Sequence, residues 1–195
     1  MPKAELPFGS ETMLGRVVRL LREVVEPVVV VAAPGQKLPT LPAEVLQARD
    51  RREDCGPLEG LATGLIALEN RATHVYATSC DVPLLVPGFV RRVMELAEDH
   101  DVAVPYADGF HHPLAAVYRT NVLPPIERLI ADRLMRPVFL FDEVDTRIVM
   151  AEELIDVDAE LATLQNLNRP ADYFAALAKA GFTAPTDVRA RLESI

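Results

Sequence analysis

The sequence predicts a parallel, three-layer α/β sandwich, and three observations carry that expectation. Short apolar runs alternate with amphipathic stretches of roughly helix length, the pattern of βα units. The run Val28 to Ala33 is apolar at every position, which suits a strand covered by helices on both faces. Turn-forming residues, Pro34-Gly35, Pro83 and Asp108-Gly109, fall where such runs end.

Glu11 to Val25 puts Met13, Val17, Leu20, Leu21 and Val24 on one helical face and leaves Arg16, Arg19, Arg22 and Glu23 largely elsewhere. Ser10 is its expected N-cap, and Pro27 stops it. The Val28 to Ala33 strand follows, then a weaker strand over Glu44 to Ala48 and a loop from Asp50 to Gly56. A helix is predicted from Pro57 to Asn70, because proline at a first turn loses no needed N–H. His74 to Ser79 reads as a strand, Pro87 to Asp99 as a helix, Val102 to Pro105 and Pro113 to Tyr118 as strands, with a helix through Arg133. Val138 to Phe141 and Thr146 to Met150 are apolar but too short to assign from periodicity. A last strand is expected over Thr163 to Leu167 and a closing helix over Pro170 to Ala180, ended by Gly181. The domain is thus placed at residues 1–181, with 182–195 as a tail that has little to pack.

A chain of 195 residues suits one domain with a full core. Its net charge of −9, from 29 acids against 20 bases, argues against a non-specific nucleic-acid binder, which needs clustered Lys and Arg. Arg49 to Arg52 is interrupted by Asp50 and followed by Glu53 and Asp54, so it reads as a mixed-charge loop. Cys55 and Cys80 stand apart with no metal spacing and read as small buried fillers in a reducing compartment. No apolar signal core opens the chain and no apolar run has membrane-spanning length, so a cytoplasmic protein is expected, with no membrane partner.

In parallel sheets ligands bind beyond the carboxyl ends of the strands, which directs attention to the loops after Ala33, Ala48 and Ser79. Asp81 follows a strand and precedes Pro83, a position suited either to holding Mg²⁺ against phosphates or to satisfying backbone N–H groups in the loop. Gly56-Pro57 opens a helix whose N-terminal N–H groups face an anion or a base edge, or simply form a loop-to-helix junction. Asp50 adds a second carboxylate at the same edge. Lys3 is a compact charge suited to phosphates, or plain surface decoration beside the amino terminus. Asn166 and Asn168 alternate, so in a strand their amides share one face; the alternative is a turn before the Pro170 helix. His111-His112 reads as a turn.

Five short pieces then form an ordered set: Pro2-Lys3-Ala4-Glu5-Leu6-Pro7-Phe8-Gly9; Asp50 with Gly56-Pro57-Leu58-Glu59-Gly60; Cys80-Asp81-Val82-Pro83; His112-Pro113-Leu114-Ala115-Ala116-Val117-Tyr118-Arg119; and Asn166-Leu167-Asn168-Arg169-Pro170-Ala171-Asp172-Tyr173. In order and spacing they resemble the molybdenum cofactor guanylyltransferases, nucleotidyltransferases with a mostly parallel Rossmann-like sheet. The resemblance implies transfer of GMP from GTP to molybdenum-bearing molybdopterin, with release of pyrophosphate. It implies Asp81 as ligand of Mg²⁺, for which Mn²⁺ substitutes, and Lys3 on the triphosphate, these two being the catalytic pair. It puts Asp50, Gly56 and Pro57 in the nucleotide site and Asn166 and Asn168 toward the pterin, with molybdenum-insertion or molybdoenzyme accessory proteins as further partners.

The family's first strand and its Gly-Gly loop end where Met1 stands, so both are expected to be absent here, and Arg169 replaces a usual Thr. Two expectations follow. In one, translation begins upstream and the cell makes a longer, active enzyme, which the genomic DNA ahead of Met1 tests. In the other, this form is a non-catalytic nucleotide- or pterin-binding accessory protein. A related transferase using CTP or another phosphorylated acceptor is the remaining alternative.

Overall fold

The computed structural model describes residues 1–52 and 56–193; Glu53, Asp54 and Cys55, and with them part of the mixed-charge loop and one expected filler cysteine, lie outside the described residues. A 3₁₀ turn at Lys3–Glu5 leads into a small hairpin, β1 (Pro7–Phe8) and β2 (Glu11–Thr12). The first helix, α1, runs Met13–Leu21. Its cap is Thr12, whose hydroxyl accepts from the Gly15 N–H at 3.1 Å, and not Ser10. Ser10 is taken up in the hairpin turn with Gly9, so the helix starts at Met13 and not at Glu11.

The strand β3 (Val29–Ala32) pairs in parallel with β4 (Leu46–Arg49). After α2 (Gly56–Ala67) comes β5 (His74–Thr78), then α3 (Pro87–Leu96), β6 (Val102–Ala107), β7 (Phe110–His111) and β8 (Ala115–Arg119). Here His111 belongs to a short strand paired with β6 and not to a simple turn. Helices α4 (Leu123–Ala131) and α5 (Val138–Phe141) precede β9 (Thr146–Met150), and α6 (Pro170–Lys179) and α7 (Thr186–Glu193) close the chain. The two pieces too short to assign from sequence are thus α5 and β9. Their identity is set by what they dock on: β9 lies parallel to β6 from Thr146 to Met150.

The strand order β5-β8-β6-β7, with β9 on β6, puts β8 antiparallel between two strands that point the same way. Strand direction across the gap to β3 follows from α2. Its first turn lies beside β4's end, where a Cβ on Gly60 would be 3.9 Å from Asp50, and it runs back past Val31 and Val29 at Gly64. It therefore delivers the chain to the amino end of β5, so β3, β4, β5, β6 and β9 share one direction. This is the α/β sandwich the sequence predicted.

The three layers are visible in the alternation of side chains. Val28, Val30, Tyr76, Ala103 and Val117 join α1 and α3 in one apolar cluster. Val102, Val104, Ala116 and Tyr118 join α2, α4 and α5 in another on the opposite face. A third cluster gathers Phe8, Met13, Leu167, Tyr173, Leu177 and Val188. Val188 is buried in this cluster, and Phe182, Ala184 and Leu192 pack against it. Phe182 meets Phe8 edge-on at 5.8 Å, and Arg189 lies over the Phe174 ring at 4.6 Å. The ring of Phe182 also fills the space beside Gly9, where a Cβ would come within 2.8 Å of it. Gly9 has φ +68 in addition. Gly9→Ala is thus expected to lower the melting temperature by several degrees through both strain and overpacking, checked by a thermal melt.

The strand expected over Thr163 to Leu167 does not form. A buried Asp158 carboxylate accepts from the Ala162 N–H (2.9 Å), the Thr163 N–H (2.9 Å) and the Thr163 hydroxyl (2.7 Å), and these bonds wind Ala162–Leu164 into a 3₁₀ turn. Beyond it the chain is extended, tied by the Leu167 N–H to the Asp81 carbonyl at 2.9 Å.

One feature of the sheet is discontinuous. Among the described residues no strand lies between β3 and β5, and a cavity of about 650 Å³ separates them.

Candidate functional site

Five polar side chains from three parts of the chain meet just past the carboxyl end of β5. Asp81 is at their centre, in the sharp turn between β5 and α3 that Pro83 enforces. Its Oδ2 accepts from Lys3 Nζ at 2.8 Å, and its Oδ1 accepts from Asn166 Nδ2 at 3.0 Å and from the Ser79 hydroxyl. Lys3 Nζ also donates to Asn168 Oδ1 at 2.8 Å. The structure therefore brings together Lys3, Asp81, Asn166 and Asn168. The two asparagines share a face as expected, though on an extended segment outside any sheet.

The surroundings set the charge of this cluster. Burial pushes the Asp81 carboxyl up. Hydrogen bonds from Lys3 and Ser79, the Lys3 charge and the Asn166 amide outweigh that and hold it below its ordinary value of 3.8. A carboxylate depressed in this way contributes stability that is complete above 3.8 and is lost as pH falls through the folded value. Lys3→Met removes two of the depressing causes and so narrows the gap between the unfolded and folded values; less stability should then be lost as pH falls below 3.8. Thermal melts between about pH 2.5 and 6 check this; an acid loss as large as the parent's would contradict the pairing.

Asp50 lies at the end of β4, on the same sheet edge, with its N–H bonded to the Ala32 carbonyl at 3.0 Å. Its Oδ1 is buried without a hydrogen-bond partner among the described residues, and burial first, then the nearby Glu59 charge, raises its pKa. Asp50 and Pro57 line the cavity between β3 and β5 together with Ser79 and Cys80. Gly56 is exposed, with φ +59 at the start of α2, a backbone angle that glycine adopts without strain. Gly56 and Pro57 open α2 and are not part of the Asp81 cluster; Pro57 borders the cavity that Asp50 also lines.

Two features were not read from the sequence. Ser79 belongs to the Asp81 cluster, and its signal was its place two residues before the aspartate at the strand end. Glu59 is 1% exposed and holds the loop after β4, accepting from Arg51 N–H (3.0 Å), Arg51 Nε (3.2 Å) and Arg52 Nη1 (2.9 Å). Both arginines also reach Glu127 on α4 at 2.6 Å. A polar residue on the inward face of a helix flanked by leucines was the available signal.

Among the described residues no group of three or more His, Cys, Asp or Glu converges in a metal site. Asp81 nevertheless fits a magnesium site of the kind completed by phosphate oxygens and water, which needs only one or two protein carboxylates. It is held ionised, and its Oδ2 already has a cation, the Lys3 ammonium, against it. No helix among the described residues is long and apolar enough to cross a membrane.

Residues 1–145 match the family described as the MobA-like NTP transferase domain. The chain is 33% identical over 172 residues to "Probable molybdenum cofactor guanylyltransferase" of Carboxydothermus hydrogenoformans, spanning 88% of this chain and 84% of that protein. The crystal structure of molybdopterin-guanine dinucleotide biosynthesis protein A from Archaeoglobus fulgidus superposes with a TM-score of 0.76 at 18% identity, covering 93% and 91% of the two chains. That of 2-C-methyl-D-erythritol 4-phosphate cytidylyltransferase from Thermus thermophilus gives a TM-score of 0.68 at 21% identity, covering 92% and 94%. At these identities the two structures establish the fold.

Proposed function

We propose, from the premise that this chain belongs to the MobA-like NTP transferase family, that it is a nucleotidyltransferase joining GMP from GTP to molybdenum-bearing molybdopterin. The observation that carries the reading is the Lys3–Asp81 pair held at the strand tip by Ser79, Asn166 and Asn168. A terminal phosphate oxygen of the pterin forms the new bond to the α-phosphorus of GTP, and the bond from that phosphorus to the β-phosphate oxygen breaks. Pyrophosphate leaves. Such a reaction asks the protein mainly for positioning and charge stabilisation.

The residues divide that work. Asp81 would hold Mg²⁺, with Mn²⁺ as a substitute, and the ion when bound offsets charge on the phosphates. Lys3 supplies a positive charge beside it and is anchored in place by Asn168. Asn166 orients the carboxylate from the other side and presents its amide toward the acceptor. Asp50 offers an unpartnered acceptor to N–H groups of the base, with Pro57 bordering the same space and Gly56 beside it in the chain.

The test is to incubate the purified chain with GTP, Mg²⁺ and molybdenum-loaded molybdopterin and follow pyrophosphate, with CTP as competitor. GTP consumption matched by dinucleotide and little affected by excess CTP is the expected result; preference for CTP would move the substrate assignment. Lys3→Ala should raise the GTP concentration required by roughly tenfold or more, the scale of one charged hydrogen bond, read as KM in the same assay. A second reading, nucleotide binding without turnover, is favoured by the open gap between β3 and β5. GTP binding without pyrophosphate release would support it.

A further inference from the structure

Glu59 is 1% exposed and sits on α2 beside Leu58, Leu61, Ala62 and Leu65, which are buried too. A buried carboxylate is costly unless donors surround it, and here three do. Its Oε1 accepts from the Arg51 N–H at 3.0 Å and Arg51 Nε at 3.2 Å, and its Oε2 accepts from Arg52 Nη1 at 2.9 Å. The far ends of both guanidiniums meet Glu127 of α4 at 2.6 Å, one on each carboxylate oxygen. Two acids and two bases thus close a ring that is neutral as a whole. An apolar side chain in place of such a buried ionic group is often no less stable, so stability alone does not account for the ring. What the ring sets is the position of the chain at residue 51.

That position bears on Asp50, one residue back. The Asp50 N–H is bonded to the Ala32 carbonyl at 3.0 Å, at the end of the β3–β4 ladder. Asp50 is therefore held from both sides, to β3 by its own amide and to α2 by the amide that follows. Its carboxylate lies against α2, where a Cβ on Gly60 would stand 3.9 Å from Oδ1. That oxygen is buried with no hydrogen-bond partner among the described residues, and Asp50 and Gly60 both line the cavity between β3 and β5. A carboxylate short of donors gains by turning out to water, so it stays only while its backbone is fixed. Around it stand Glu59 on α2 and Arg49, Arg51 and Arg52 along its own chain, while His74 and Cys80 line the cavity from the β5 side. Burial raises its pKa first and the Glu59 charge second.

We infer that Glu59 is a positioning residue for nucleotide choice: through Arg51 and Arg52, with Glu127 closing the ring, it holds the Asp50 carboxylate at the cavity wall, where that carboxylate selects a base with two adjacent N–H donors. The inference rests on the reading that a nucleotide enters this cavity. Guanine has that pair, a ring N–H beside an exocyclic amino group. Hypoxanthine has the ring N–H alone, and neutral cytosine has the amino group beside a bare ring nitrogen. A carboxylate answers the guanine pair with its two oxygens. Glu59 touches no substrate, since its own oxygens are taken up by the arginines. Its loss should therefore weaken the choice of base and spare the transfer step at the Asp81 end of the site.

The test uses the full chain with Glu59→Met, which removes the acceptors, and Glu59→Gln, which keeps one for the Arg51 N–H. GTP and inosine triphosphate, each with Mg²⁺, are compared by calorimetric titration. The parent should prefer GTP by about tenfold, the worth of one hydrogen bond to a charged group. Glu59→Met should bring that ratio close to one, and Glu59→Gln should keep most of it. In an Asp50→Ala background Glu59→Met should change the ratio no further, because Glu59 acts through Asp50. A ratio retained by Glu59→Met, or losses that add in the double variant, would overturn the inference. Should Glu59→Met not fold, Glu127→Gln opens the ring from its outer side and should lower the preference roughly threefold, half the effect on a logarithmic scale; an unmoved preference there sinks it too. A second arm needs no ligand: ¹³C NMR titration of the Asp50 carboxyl. Glu59→Gln removes the charge and leaves the burial, so the Asp50 pKa should fall part of the way to 3.8, while Glu59→Met frees the carboxylate to reach water and should take it the rest. Equal values in the two variants would show that charge alone was lost, and would overturn the inference as well. A parent that binds neither nucleotide would strike the transferase reading, and the titration would then decide the role of Glu59 by itself.

Discussion

Asp81→Asn is expected to lower nucleotidyl transfer by about 10²- to 10³-fold, some 3–4 kcal/mol of transition-state stabilisation, while leaving the fold intact. The change is isosteric, so Ser79 and Asn166 keep an acceptor, but Lys3 loses its anionic partner and a metal loses its only carboxylate in the cluster. Pyrophosphate release read beside far-UV circular dichroism separates the two effects. A variant within a few fold of the parent would remove Asp81 from the chemistry.

The second large effect is on stability. Asp158 is 5% exposed and accepts three hydrogen bonds from Ala162 and Thr163, while the Thr163 hydroxyl accepts from the Val86 N–H at 3.0 Å. Asp158→Ala leaves two backbone N–H groups and a hydroxyl unsatisfied in the interior. At about 1–3 kcal/mol for each buried group so orphaned, a loss of about 3 kcal/mol is a modest expectation. For a chain of this length that is roughly 6–12 °C in melting temperature. The same turn presents Asn166 to Asp81 and Asn168 to Lys3, so the requirement for substrate should rise with it. Asp158→Asn, which keeps acceptors, should fall between the two. A melting temperature within about 2 °C of the parent would show that other contacts set the turn.

Much of this was legible in the sequence because it depends on local pattern. The helix stripes of α1 and α3, the apolar β3 run and the proline-marked ends of β5 all carry their own periodicity or punctuation. What failed depended on partners distant in sequence. Thr163 to Leu167 looks like a strand, and only the buried Asp158 carboxylate, with its three donors, makes it turn. Ser10 looks like a cap until the Gly9 hairpin claims it and Thr12 takes the role. β9 could not be assigned until its place against β6 was known. In the site, Asp81 stood out as an acid at a strand tip and the asparagines as an alternating pair. Ser79 and Glu59 did not, since a serine just past a strand and a glutamate in a helix carry only a positional signal until their hydrogen bonds are seen. The contact of Phe182 with Phe8 carries no local signal for the same reason, since it spans nearly the whole chain.

The central claim is that a metal-bound nucleoside triphosphate sits against Asp81 at the carboxyl edge of the sheet. It is tested most directly by adding Mn²⁺ with GTP to isotopically labelled protein and mapping paramagnetic broadening of its amide signals, which requires no turnover. The account predicts selective broadening around Ser79 to Asp81 and Asn166 to Asn168, extending to Asp50, and its disappearance in Asp81→Asn. Broadening centred elsewhere on the molecule, or unchanged by that substitution, would contradict it.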